Sequence, residues 1–119
     1  MTELEEKRVA IAKFMGYKPI LIKPDVYRLE QYNGFITEGD NPDDVWKLAS
    51  QTIRYDGDWN ALMQVVEKVE ETNQVSVVIQ SKNLVTISFG SKTYSYFSGT
   101  LIENTFNACA LFIKYYSQK

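Results

Sequence analysis

Carboxylates crowd one stretch of the chain: Glu38, Asp40, Asp43 and Asp44, with Asp56 and Asp58 further on. Hard cations such as Mg²⁺ or Ca²⁺ need several oxygens converging on one point, and paired carboxylates can also divide acid and base roles. The spacing Asp40-Asn41-Pro42-Asp43-Asp44 departs from an EF-hand loop, which needs alternating ligands, a glycine and a distal glutamate. Helix capping and a solvated loop account for these acids, so neither a metal site nor a carboxylate-pair catalyst is expected. Histidine is absent, which removes Ser-His-Asp and Cys-His catalysis and His-bearing zinc or iron sites. The single cysteine, Cys109, lies between Phe106 and Phe112 on an apolar helical stripe and reads as a small core hydrophobe. No catalytic, cofactor-binding or metal-ligating residue is assigned, and the chain is expected not to be an enzyme.

The remaining chemistry is recognition. Tyr94, Tyr96 and Phe97 could stack single-stranded bases, but Tyr94 and Tyr96 share the parity of a side that a helix should cover. Two Trp, eight Tyr and six Phe are many for 119 residues. An aromatic surplus left outside the core would mark a partner surface. Trp46, Tyr27 and Tyr32 are the first candidates, for an unknown protein partner or for self-association.

These side chains depend on elements that the pattern predicts. Thr2 and Glu5 form a capping box at the start of a helix over 3–15, with Leu4, Ile11, Phe14 and Met15 along one side and Gly16 as its C-cap. Pro19 and Pro24 punctuate an extended stretch. Val26–Tyr32 and Phe35–Glu38 then flank Asn33-Gly34, a dipeptide suited to a type I′ hairpin turn. Asn41-Pro42 starts a helix of about two turns, with Val45, Trp46, Leu48 and Ala49 as its apolar side. Asp58 caps an amphipathic helix over 59–72 whose stripe is Trp59, Leu62, Met63, Val66 and Val69.

Three short strands follow, marked by alternation in Val75–Gln80, Leu84–Phe89 and Thr93–Ser98, with turns at Ser81-Lys82-Asn83 and Gly90-Ser91-Lys92. Thr100 and Glu103 form a second capping box. It opens a helix over 101–116 with Ile102, Phe106, Cys109, Phe112, Ile113 and Tyr116 as its stripe. The expected fold is a single α+β domain over 1–119. It comprises an antiparallel sheet with packed helices, a second half in the order α-β-β-β-α, and an added N-terminal helix and hairpin.

Thirteen Lys and Arg against fifteen Asp and Glu give a net charge of −2, and the charged fraction is 24%. A disordered tail, a disulfide scaffold and a strongly basic nucleic-acid binder are thereby excluded. The opening residues are charged and helix-patterned rather than a secretory signal. Apolar runs such as Val77-Val78-Ile79 fall far below the roughly 18 residues of a membrane span. A cytoplasmic, non-membrane protein is expected.

Two longer segments carry a resemblance. DWNALMQVVEKVEE at 58–71 and IENTFNACALFIKYYSQK at 102–119, with IAKFMGY at 11–17, resemble small uncharacterised proteins of phages and prophage-rich gut bacteria. That group is similar to the phage ABA sandwich domain. The resemblance implies a small layered α/β domain carried by mobile elements, brings no functional residues with it, and leaves out residues 18–57. It favours a non-enzymatic accessory or interaction protein.

The competing expectation is a nucleic-acid module, because helix-strand-strand-strand-helix is also the order of double-stranded-RNA-binding domains. Such a domain needs lysines at the start of its second helix. Here that helix opens Leu101-Ile102-Glu103 with no lysine before Lys114, and from Asp58 onward five lysines balance five acids. Nucleic acid is therefore the disfavoured partner.

Overall fold

The structure is a computed structural model that describes residues 1–31, 34–72, 74–79 and 82–118. Among the described residues it is an α+β fold of four helices and two three-stranded antiparallel sheets. The chain divides into two compact units, Met1–Ile53 and Arg54–Lys119.

In the first unit, α1 spans Glu3–Phe14. The capping box forms as expected: Glu5 N–H donates to Thr2 Oγ1 at 3.2 Å, and Thr2 N–H donates to Glu5 Oε1 at 3.0 Å. The helix ends where Gly16 adopts φ +97°, a conformation open to a residue without Cβ. Tyr17 N–H then reaches Ala12 O and Gly16 N–H reaches Lys13 O, both at 3.1 Å, the paired bonds of a Schellman cap. The buried side of α1 differs from the expected one. Arg8, Val9, Ile11 and Ala12 are buried, whereas Leu4 is 41% exposed. The reason is α2, against which α1 lies: Arg8 covers this contact with its aliphatic stem while Nη1 donates to Ser50 O at 3.1 Å.

Strands β1 (Lys18–Lys23), β2 (Val26–Gln31) and β3 (Gly34–Gly39) make an antiparallel meander. The expected hairpin is thus two strands of three, and the Pro19 segment forms the third. Proline is admissible there because β1 is an edge strand. Pro24 and Asp25 connect β1 to β2, Asp25 taking the left-handed φ of +60° that Asp tolerates. Of the type I′ turn expected at Asn33-Gly34, Asn33 lies outside the described residues, and Gly34 is the first residue of β3, opposite Gln31.

Helix α2 (Pro42–Thr52) is eleven residues, longer than the two turns expected. Asn41 caps it, Oδ1 accepting from Asp44 N–H at 2.9 Å. It lies against β2 and β3 and buries Val45 and Ala49 beside the buried Leu29 of β2, while Leu48 faces solvent. Its first turn sits so close to β3 that a Cβ at Gly39 would meet Val45 Cγ2 at 3.0 Å and Val45 N at 3.2 Å.

In the second unit, α3 (Trp59–Glu71) is capped by Asp58, whose Oδ1 accepts from Asn60 and Ala61 N–H at 2.9 and 3.3 Å. Its buried face is Leu62, Val65, Val66 and Val69. The expected stripe is therefore rotated: Trp59 is 39% exposed and Met63 is half-buried. Apolar residues at 59, 62, 63, 65, 66 and 69 cover more than one face, so periodicity alone leaves the orientation of the helix open.

Strands β4 (Val75–Ile79), β5 (Val85–Phe89) and β6 (Lys92–Tyr96) form a meander whose register is unbroken, from Val75 opposite Phe89 to Val85 opposite Tyr96. Alternation is clearest in the central strand, where Val85, Ile87 and Phe89 are buried. Helix α4 (Leu101–Ser117) lies against β5, β6 and α3, and α3 lies against β4. Contact on two sides explains why α4 buries more than a stripe, adding Asn104, Thr105, Ala108 and Ala110 to Phe106, Cys109, Phe112 and Ile113. Tyr116, expected at the end of the stripe, is 38% exposed.

Candidate functional site

The acidic stretch resolves into structural tasks. Glu38 Oε1 accepts from Arg28 Nη2 at 2.7 Å and from Arg28 Nε at 3.1 Å, a two-point ion pair between neighbouring strands. Asp44 Oδ2 accepts from Asn41 Nδ2 at 3.0 Å at the head of α2, where Asp43 and Asp44 also complement the helix dipole. Asp58 is the cap of α3. Glu38, Asp40 and Asp44 border an open depression of about 420 Å³, closed on its other side by Lys47, Leu48 and Gln51. Among the described residues, no three His, Cys, Asp or Glu side chains converge to hold a metal ion.

Cys109 is completely buried, and loss of water around its thiol, with a smaller effect from Glu70, pushes its pKa up to about 12. Thiolate chemistry is therefore suppressed in the native fold. The aromatic candidates separate by parity. Tyr94 and Tyr96 are half-buried on the covered side of the second sheet, and Tyr94 stacks on Phe89 with ring centroids 5.3 Å apart. Desolvation raises the Tyr96 pKa, with Tyr94 adding to it. Phe97, the residue after β6, is 66% exposed, and neither tyrosine of that strand is exposed with it. Trp59, Met63, Phe106 and Phe112 do not line a common cleft, since Phe106 and Phe112 are sealed in the core.

Of the residues singled out for a partner surface, Tyr27 is half-buried, Trp46 is half-buried beneath Lys13 Nζ at 5.1 Å, and Tyr32 lies outside the described residues. The exposed apolar groups of the first sheet are others: Leu21 at 57%, Phe35 at 56% and Ile22 at 38%. Phe35 carries the Arg28 guanidinium over its ring at 4.4 Å, so the side chain that pairs with Glu38 also stacks on an exposed aromatic. One sequence signal was available: Leu21 and Ile22 are adjacent apolar residues in an extended stretch, where strict alternation would send one side chain to each face. Phe35, directly after the Asn33-Gly34 dipeptide, gave no such signal.

The open side of the second sheet is built of hydroxyls. Thr86 Oγ1 and Ser95 Oγ lie 3.3 Å apart, and Ser88 Oγ and Thr93 Oγ1 lie 2.9 Å apart, in hydrogen-bonded cross-strand pairs. No described helix is long and apolar enough to cross a membrane. Compared with protein-family models, curated proteins and solved structures, the chain returns no match.

Proposed function

We propose that this chain is a non-enzymatic accessory protein of phage or mobile-element type that acts through protein contacts, with the sheet β1–β3 as its partner-facing surface. One observation carries the reading: Phe35 stands more than half exposed with the Arg28 guanidinium held over its ring, while Leu21, on the opposite face of the same sheet with Tyr27, is equally exposed. Arginine and aromatic residues held in place lose little entropy on binding and are enriched among the residues that dominate interface energies. The origin rests on the resemblance of residues 58–71 and 102–119 described above. The test is parallel affinity capture from phage-infected cells with the wild-type chain and the Leu21→Ser/Phe35→Ser variant. The expected result is a partner retained by the wild type and lost by the folded variant. Equal capture by both would refute the assignment of this surface.

A second reading is favoured by one feature, the order α3-β4-β5-β6-α4 with an antiparallel meander. It is nucleic-acid binding of the double-stranded-RNA-binding kind. The α4 N-terminus, Leu101-Ile102-Glu103, brings no positive charge to a phosphate. Duplex RNA retained at about 50 mM salt and released at about 200 mM would establish this reading, because counterion release makes such affinity steeply salt-dependent.

A further inference from the structure

The two sheets have four edges, and three of them carry features that discourage pairing with another strand. Strand β1 contains Pro19, lysines at both ends and a register irregularity against β2. Strand β3 starts and ends with glycine, carries Glu38 and has its own irregularity against β2. Strand β6 begins with Lys92. Proteins use such charges, prolines and bulges to keep open edges from recruiting strands.

Strand β4 has none of them. Its sequence, Val75-Ser76-Val77-Val78-Ile79, is uncharged, and its pairing with β5 runs without a break. Its other edge pairs with no described strand. Val78 is 43% and Ile79 40% exposed, which leaves two β-branched side chains open beside that edge.

We infer that β4 pairs antiparallel with β4 of a second copy of this chain. Charge selects both the partner and the direction. Strand β4 is entered from Glu70 and Glu71 at the end of α3 and left through Lys82, with no charged residue between. Antiparallel self-pairing therefore sets the acidic end of each copy beside the basic end of the other, whereas parallel pairing would set like beside like.

Geometry fixes the register. Centring the pair on Val77 places Val77 opposite its counterpart, Val75 opposite Ile79 and Ser76 opposite Val78. Each face then meets the same face, and the two-fold axis is perpendicular to the sheet. The result is a continuous six-stranded sheet in the order β6-β5-β4-β4-β5-β6. The operation closes at two copies because each has a single edge of this kind.

This inference deepens the reading of the chain as one that works through protein contacts, by naming one partner. Its test leaves Leu21 and Phe35 untouched, so either conclusion can fail alone. The centred register brings the two Val78 residues into diagonal contact on one face, about 7–8 Å apart, within reach of long side chains. Analytical ultracentrifugation of the full chain should give a dimer. Val78→Lys and Val78→Glu should each weaken it about tenfold or more by like-charge repulsion, and mixing the two should restore a one-to-one heterodimer. Circular dichroism shows whether each variant retains the fold, and concentration-dependent amide-exchange protection of residues 75–79 in the wild type gives a readout that needs no variant. A wild type that stays monomeric at about 100 µM, the concentration range at which only very weak pairs dissociate, would overturn the inference. So would a dimer indifferent to both substitutions.

Discussion

Asn104 Nδ2, in the first turn of α4, donates to the backbone carbonyl oxygen of Asn83 at 2.6 Å. The same amide donates to Gly99 O at 3.2 Å, while Asn104 Oδ1 accepts from Gly99 N–H at 3.2 Å. Asn83 answers with its own side chain, Nδ2 donating to Phe97 O at 2.5 Å and Gly99 O at 3.0 Å. Two asparagines twenty-one residues apart thus satisfy the backbone of the loop that ends β6 and hold it against the loop that precedes β5. Asn104 is 1% exposed, so water cannot replace it.

Asn104→Ala is expected to cost about 2–4 kcal/mol, because it leaves the Gly99 N–H and the Asn83 carbonyl without their partner in a buried place. Asn83→Ala, at the more accessible end of the network, should cost about 1 kcal/mol. Urea unfolding followed by circular dichroism measures both. Equal and small losses would show that the network contributes little.

Glu5 and Glu103 close the two capping boxes, and hydrogen bonds from the backbone and hydroxyls of Thr2 and Thr100 hold their carboxyl pKa values below the ordinary 4.5. The unfolded chain therefore binds these protons at higher pH than the folded one. Their contribution is complete above about 4.5 and is lost as pH falls through the lowered folded values. Glu103→Gln keeps a side chain that can accept the Thr100 N–H bond but cannot titrate. It should leave the midpoint of unfolding at pH 7 little changed and flatten its decline below pH 4.5. An unaltered acid limb would count against the assignment.

Cys109 should resist thiol reagents in the native protein. With its pKa raised and its side chain fully buried, labelling at pH 8 is expected to proceed only through opening of the structure and to accelerate with denaturant in step with unfolding. Fast labelling without denaturant would place Cys109 at a surface.

The rotated stripe of α3 gives a quantitative contrast. Leu62→Ala removes a fully buried side chain and should cost about 2–5 kcal/mol. Trp59→Ala, at a position 39% exposed, should cost less than about 2 kcal/mol despite removing the larger group. The reverse order of midpoints in denaturant would restore Trp59 to the core.

Local chemistry was legible in the residues themselves. Both capping boxes, the Asn41 and Asp58 caps, the Gly16 terminus and the alternation of Val85, Ile87 and Phe89 were readable from short-range spacing. Each depends on backbone groups within a few residues, so no knowledge of the partner element is needed. The same short range made the apolar setting of Cys109 predictable from Phe106 and Phe112. Where spacing left surplus, it misled. Alpha-helical periodicity offered Leu4 and Trp59 as core residues, and only the placement of neighbouring elements exposed them.

The order of elements from α2 onward, the α+β class and the absence of histidine chemistry were decided by the chain as written, because they follow from composition and from bonds made between near neighbours. Which face each helix buries, that Pro19 lies in a third strand, that Arg28 links Glu38 to Phe35, and that Asn104 meets Asn83 were decided only by the tertiary structure. Those relationships join residues from different elements, and the energy that selects among them comes from burial and hydrogen bonding between surfaces that no single segment contains.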